Sequence, residues 1–204
     1  GNAKFALGIV TGNNKAYIST EKRDGTEIIL KGSDIQRYGT TPSGNYIRFV
    51  PESFQQVAPV EMYRAKEKLL YRFISEVPVF TYDNQQTLSL NSCNIVIPDI
   101  DGLEMKYILA ILNSSVAAYF ISKRFNSVKL LRSHIEQMPI PVVPVDVQAP
   151  IIKKVDRIMN SSENISGLYE DLDADIMSLY GLTIAQVDTI QSALNGKSQF
   201  LKGC

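Results

Sequence analysis

The sequence has no tryptophan, one histidine and two cysteines in 204 residues. A single histidine, His134, gives little support to a Ser-His-Asp triad or a histidine-built metal site. Cys93 and Cys204 have no metal-ligand spacing and do not read as a disulfide framework, so a reducing cytoplasm is the simplest setting. No apolar run approaches the roughly 18 residues that span a bilayer, so no membrane partner is predicted. The first apolar stretch, Phe5 to Val10, is too short for a signal peptide and is broken by Gly8. Gly8 and Gly12 precede Lys15, but at the wrong spacing for a P-loop. No Asn/Asp-Pro-Pro-Tyr/Phe tetrapeptide occurs, nor any complete nuclease motif. The carboxylates at 170, 171, 173 and 175 sit in a helical pattern, where a solvated face is the simpler reading. The residues therefore predict a binding module with no catalytic residue, no metal set and no cofactor of its own.

What is present is an ordinary globular composition, 45% apolar and 21% charged. Net charge is zero but unevenly spread. Residues 1–142 hold 16 Lys and Arg against 13 Asp and Glu, a balance of +3, and residues 143–204 hold 5 against 8, a balance of −3. That polarity permits a polyanion on the first part and argues against the tail as its main site.

Up to about residue 100 the pattern is strand and turn. Strand candidates are Lys15–Ser19, Glu27–Leu30, Tyr46–Val50, Lys68–Ile74, Val77–Tyr82 and Ser92–Ile97, with a Gly-Thr-Thr-Pro-Ser-Gly loop at 39–44. The runs are short and irregularly spaced, which predicts a mixed α/β sheet with irregular loops. Met105–Phe120 has helical periodicity, with Tyr107, Ile108, Ile111 and Leu112 on the inner face. Ser127–Gln137 reads as a second, short helix with Val128, Leu131 and Ile135 inward and Lys129 and Arg132 outward. Pro139 and Pro141 end it. From residue 145 the register is helical: one stripe of Ile151, Ile152, Val155, Ile158 and Met159, and another of Ile165, Leu168, Leu172, Ile176 and Leu179. Pro150 is placed in a first turn, and Thr183-Ile-Ala-Gln186 is a capping box for a last helix. The expected division is a domain over 1–144 and a helical tail over 145–204.

Four patches in order carry a resemblance. They are Gly8-Ile-Val-Thr-Gly-Asn-Asn-Lys15, Leu30-Lys-Gly-Ser-Asp-Ile-Gln-Arg-Tyr38, Lys68-Leu-Leu-Tyr-Arg-Phe-Ile74 running into Phe80-Thr-Tyr-Asp83, and Tyr107-Ile-Leu-Ala-Ile-Leu-Asn-Ser114 followed by Met138-Pro-Ile-Pro141. Together they resemble the TaqI-like C-terminal specificity domain of adenine-N6 DNA methyltransferases and fused restriction-modification enzymes. The resemblance implies sequence-specific recognition of double-stranded DNA. It implies a longer parent enzyme whose methyltransferase domain binds S-adenosylmethionine outside this chain, with an endonuclease domain in some members.

The basic side chains then acquire candidate roles. Lys15 closes a polar Gly-started loop that fits either a phosphate or a plain tight turn. Lys31, Arg37 and Tyr38 flank a turn in which Asp34 can serve as a cap; Arg37 suits a phosphate, a guanine edge or a surface salt bridge. Lys123, Arg124, Lys129 and Arg132 form the densest basic cluster, opposed within 123–136 only by Glu136, and suit phosphates. Arg72 is expected to pair internally with Asp83 or Glu76, and Asn113-Ser114 to cap. The tail has two readings: a brace packed on the domain, or an arm that self-associates through residues 148–194 or docks methyltransferase or restriction subunits.

Overall fold

The computed structural model describes residues 2–125, 127–161 and 166–195. In chain order the strands and helices are β1 (Ala3–Ala6), α1 (Asn14–Tyr17), β2 (Ile18–Ser19), β3 (Glu27–Leu30), β4 (Ile35–Gln36), β5 (Gly39–Thr40), β6 (Tyr46–Ile47), α2 (Val60–Tyr63), β7 (Lys68–Arg72), β8 (Phe80–Asp83), β9 (Leu88–Ser89), β10 (Cys93–Pro98), α3 (Met105–Leu112), α4 (Ser115–Arg124), α5 (Arg132–Ile135), α6 (Val145–Asn160), α7 (Ser166–Leu179) and α8 (Ile184–Leu194). Four antiparallel strands form the main sheet in the order β1-β10-β7-β8. A smaller mixed sheet runs β2-β6-β3-β9, and β4 pairs with β5 alone. This is the mixed α/β architecture read from the sequence, with its helices gathered in the C-terminal part.

The main sheet is buried on both faces, which explains why β7 and β10 read as near-continuous apolar runs. Alternate side chains serve different cores. Leu69, Tyr71, Phe80 and Val96 belong to the cluster built on α3, α6 and α7. Leu70, Cys93 and Ile95 belong to the cluster that includes Ile29, Leu30, Ile47 and Leu88 of the smaller sheet. A sheet between two cores cannot slip register without moving every side chain to the wrong face.

One buried ion pair fixes that register. Lys68 stands directly opposite Asp83 across β7 and β8. Its side chain is fully buried, and its ammonium donates to Asp83 Oδ2 and, at 2.8 Å, to the Tyr63 carbonyl. Asp83 also accepts from the Thr87 hydroxyl at 2.6 Å and the Thr87 amide at 3.0 Å. Burial pushes the Lys68 pKa down and the hydrogen bond to Asp83 pulls it back. The expected partner of Asp83, Arg72, instead donates through Nε to the Ile35 carbonyl at 2.7 Å.

Several local readings change. Residues 14–17 form a helical turn rather than a strand, and only Ile18–Ser19 pair with β6. The single helix over Met105–Phe120 is two, bent by 57° at Asn113–Ser114. The break has a cause: Asn113 leaves the helix to clamp Phe80, accepting from its amide at 2.9 Å and donating to its carbonyl at 3.0 Å. Ser114 then caps α4, accepting from the Ala117 amide at 3.2 Å, as its residue type suggests. No single helix among the described residues is long and apolar enough to cross a membrane.

The helix over Ser127–Gln137 shrinks to Arg132–Ile135. The segment before it is extended, because Phe73–Ser75 offers it backbone partners: Leu130 N donates to Phe73 O at 2.8 Å and Ser75 N to Val128 O at 2.9 Å. Val128 and Leu131, expected inside, are 57% and 40% exposed. Pro150 is the sixth residue of α6, not in its first turn, and the helix continues through it.

The tail packs back on the domain. Ile151, Val155 and Ile158 of α6 and Leu172 and Ile176 of α7 join the core over α3, and Ile165 lies outside the described residues. Gln148 is fully buried, accepting from the Glu104 amide at 2.9 Å and donating to the Gly102 and Val143 carbonyls at 2.7 and 2.9 Å. Lys106 pairs with Asp156 at 2.6 Å. The capping box at Thr183 is present, with reciprocal bonds to Gln186 at 2.9 and 3.4 Å.

Two stability outcomes follow from the buried polar contacts. Lys68→Met leaves the Asp83 carboxylate buried without its cation, and a loss of about 3–5 kcal/mol is expected. The urea midpoint measures it, and adding Asp83→Leu should recover part of the loss. Asn113→Ala strands the buried Phe80 amide and takes one of two donors from the Phe80 carbonyl, which keeps the Tyr38 amide, an expected loss of roughly 1–3 kcal/mol. A midpoint unchanged in Asn113→Ala would show that the clamp carries no stability.

Candidate nucleic-acid interface

The loop edge at the ends of β3, β7 and β10 gathers residues far apart in sequence. After β3 the chain makes a tight turn, Gly32–Asp34, in which Asp34 Oδ2 accepts from the Lys31 amide at 3.0 Å. This is the capping role read for Asp34. The Gly32 amide donates to Ser92 Oγ at 2.9 Å. A Cβ on Gly32 would lie 2.5 Å from the Ser92 carbonyl oxygen, so only glycine allows the approach. The same Ser92 carbonyl accepts from the Phe73 amide at 3.0 Å, and Phe73 in turn accepts from Leu130. This relay puts Lys31, Ser92, Ile74 and Lys129 on one edge. Lys129 is exposed and Lys31 half-buried, and neither has an ion-pair partner among the described residues.

Lys15 stands apart, exposed on α1 after a loop in which the Thr11 hydroxyl donates to Asn14 Oδ1 at 2.6 Å. It opens on a polar cleft shared with Tyr17, Arg23, Tyr46 and Arg48, with Glu21 as its one acid. Arg23 and Arg48 were not singled out from sequence. The signal that could have found them is the pairing of β2 with β6, which brings their segments beside Lys15.

Two candidates turn inward instead. Tyr38 is 5% exposed, with its ring 5.4 Å from that of Tyr169 and its backbone at φ 65°, held by the bond from its amide to Phe80 O at 3.1 Å. Burial pushes its phenol pKa up. It belongs to the core, where a duplex cannot reach it. Arg37 donates through Nη1 to the Asn113 carbonyl at 3.0 Å and lies 5.7 Å from the Tyr169 ring centroid. Burial lowers its pKa, while Tyr38, Tyr169 and Asp173 act in the opposite sense. Asp173 itself accepts from the Ser115 amide at 2.7 Å, and burial raises its pKa. Arg37 thus ties the domain to α7.

The basic cluster over 123–132 is divided by its local structure. Lys123 lies in the last turn of α4 with its ammonium 5.6 Å from the Tyr119 ring centroid, and exposed Arg124 ends the helix. Both rim an apolar groove between α4 and α8 lined by Val116, Phe120 and Ile190. Arg132 pairs with Glu136 at 2.8 Å and lies 5.1 Å from the Phe5 ring centroid, so its charge is largely matched. With residues 127–131 extended, Lys129 and Arg132 do not share a helix face. His134 is buried, stacked 3.9 Å from Phe125, with Nδ1 accepting from the Leu131 amide at 3.3 Å. Among the described residues no group of three or more His, Cys, Asp or Glu could hold a metal. Cys93 is buried, which pushes its thiol pKa up and leaves it inert.

The edge therefore offers cations, small polar groups and two exposed apolar side chains, Ile74 and Val128, a chemistry suited to a nucleic acid. Comparison with known proteins bears on this. A stretch of 39 residues is 54% identical to the Type II methyltransferase M.VspI of Vibrio sp. (strain 343), covering 19% of this chain and 10% of that protein. The match thus spans about a tenth of the length of that curated relative. Among solved structures, the type IIL restriction-modification enzyme MmeI in complex with DNA superposes with a TM-score of 0.58 at 11% identity, over 93% of this chain and 35% of that one. A component of a type I restriction-modification complex gives 0.54 at 15% identity, over 100% and 44%. The HsdS subunit of Thermoanaerobacter tengcongensis gives 0.51 at 12% identity, over 98% and 43%. At these identities the likeness is one of fold. The TaqI-like C-terminal specificity domain matches residues 27–140, more than half of the chain, and the chain belongs to that family.

Proposed function

We propose that this chain is the sequence-reading part of a restriction-modification enzyme: it binds double-stranded DNA at a defined sequence and carries out no chemistry itself. The observation that carries the reading is family membership over 27–140, together with the relay that places Lys31 and Lys129 on one loop edge. The parent enzyme in this reading is an adenine-N6 methyltransferase working in the cytoplasm, with or without a nuclease. S-adenosylmethionine binds its methyltransferase domain, outside the residues described here. The 39 residues shared with the Type II methyltransferase M.VspI support a methyltransferase as the parent. Lys31 and Lys129 are the central phosphate contacts, with Lys15, Lys123 and Arg124 as outlying ones; Arg132 contributes little while Glu136 holds it.

A scaffold role for the tail is less favoured, because α6 and α7 spend their apolar stripes on the domain. Self-association through residues 148–194 has one observation behind it, Ile184 at 82% exposure on α8. Sedimentation equilibrium of Ile184→Glu against wild type tests it, and a monomer in both removes it.

Titration against a randomised duplex pool at two salt concentrations, with sequencing of the bound fraction, tests the main reading. Enrichment of one short sequence that survives the higher salt is expected; unselective binding that vanishes with salt would overturn it. Lys31→Ser and Lys129→Ser should each lower the slope of log affinity against log salt by about 0.9. Tyr38→Phe should leave that slope unchanged.

A further inference from the structure

The recognition edge carries two large apolar side chains that the fold does not use. Ile74 is 61% exposed and Val128 57% exposed. Neither is left out for want of a place to go, because their neighbours are ordered by the chain around them. Leu130 is 4% exposed, and Val77 and Val79 after Ile74 are 2% and 4% exposed. The two segments pair as a short ribbon: Ser75 N donates to Val128 O at 2.9 Å, Leu130 N to Phe73 O at 2.8 Å, and Ile74 stands opposite Lys129 in an antiparallel bridge. Directly opposite residues in such a bridge project from the same face, about 5 Å apart at Cβ. The face therefore presents an apolar tip beside an ammonium group.

This is the wrong chemistry for gripping phosphates alone. An isoleucine and a valine gain nothing from a phosphate oxygen, and Glu76, exposed at the end of the same ribbon, would be repelled by one. It is suitable chemistry for base edges. A two-stranded ribbon fits the major groove of B-form DNA. Thymine presents its C5 methyl there as an apolar contact, and cytosine presents an amino donor that a carboxylate can accept. Lys129, with no ion-pair partner among the described residues, is then free to reach the phosphates at the groove's edge, and Lys31 flanks it from the neighbouring turn.

We propose that the ribbon formed by residues 73–75 and 128–130 enters the major groove by the face that carries Ile74 and Lys129, and that Ile74 reads the C5 methyl of thymine in the target sequence. The inference rests on the DNA-recognition reading and deepens it, since it names the feature recognised and the side chain that recognises it.

The experiment uses the whole chain and the duplex selected from the random pool. Each thymine of the selected site is replaced in turn by deoxyuridine, which differs only by the missing methyl. At one or two positions the wild-type chain should lose about 3- to 10-fold in affinity. Ile74→Ala should bind the thymine and deoxyuridine duplexes equally at the matching position, with the salt slope unchanged, while Val128→Ala, on the other face of the ribbon, should keep the wild-type methyl dependence. Both side chains are exposed, so both variants should retain the wild-type urea midpoint, which is measured alongside. A selected site whose affinity is indifferent to every thymine methyl would overturn the inference while leaving sequence recognition intact. So would an Ile74→Ala variant that keeps the wild-type methyl dependence. Absence of any enriched sequence would remove the recognition reading itself, and this inference with it.

Discussion

The fold depends on where β7 sits, and β7 is held there by the buried pair between Lys68 and Asp83. A fully buried lysine is a costly thing to place in a sheet, and it is tolerable only against a carboxylate with its remaining oxygens satisfied. Asp83 meets that condition through Thr87, and Lys68 through the Tyr63 carbonyl as well. The pair need not add net stability relative to two apolar residues. Its effect is to make every other register of β7 against β8 leave a charge buried alone. With that register set, Leu69 and Tyr71 face the helices and Leu70 faces the small sheet, so one strand organises both cores. The same strand ends at Arg72, where it delivers Phe73 to Ser92 and Ile74 to Lys129. The recognition edge is in this sense the far end of a register choice made at Lys68.

The tail enters the same frame from the other side. Asn113 gives its side chain to Phe80 of β8 and its carbonyl to Arg37, while Asp173 of α7 holds the Ser115 amide at the start of α4. The bend between α3 and α4 is thus the point where sheet, turn and tail meet. Arg37 and Tyr38 read as candidate DNA contacts because a cation and an aromatic residue flank the turn that holds Gly32. They are instead the domain's half of this junction, with Tyr169 as the other half. This explains why a non-glycine residue accepts φ 65° at Tyr38: its amide bond to Phe80 and its ring packing determine the position from both sides.

What the sequence made legible was local. Apolar periodicity found the helices of the tail, and the Thr183–Gln186 pair announced its cap correctly because both partners lie within one turn. Asp34 likewise capped the turn it was read to cap. The errors arose where a distant partner outbid a local pattern. Residues 127–131 carry helical spacing, yet Phe73–Ser75, more than fifty residues earlier, supplies backbone partners and pulls them into an extended ribbon. Met105–Phe120 reads as one helix until Phe80 claims Asn113. Burial of Lys68 was invisible for the same reason, since a lysine at a strand end ordinarily faces water. Of the candidate cations, Lys31 and Lys129 lie ninety-eight positions apart in sequence, and only the pairing at Ser92 and Phe73 brings them to one edge.

The division between frame and edge also bears on how such a domain can change what it reads. Gly8 and Gly32 cannot be altered cheaply, since a Cβ would lie 2.1 Å from the Leu90 carbonyl oxygen in one case and 2.5 Å from that of Ser92 in the other. Lys68, Asp83, Asn113 and Gln148 are each tied by several buried bonds. Ile74, Val128 and Lys129, by contrast, lend the fold their backbones and almost nothing of their side chains. Substitution there changes the chemistry presented to a groove without disturbing either core. A surface built this way separates two demands that usually conflict, because the residues that fix the position of the edge are not those it presents to solvent.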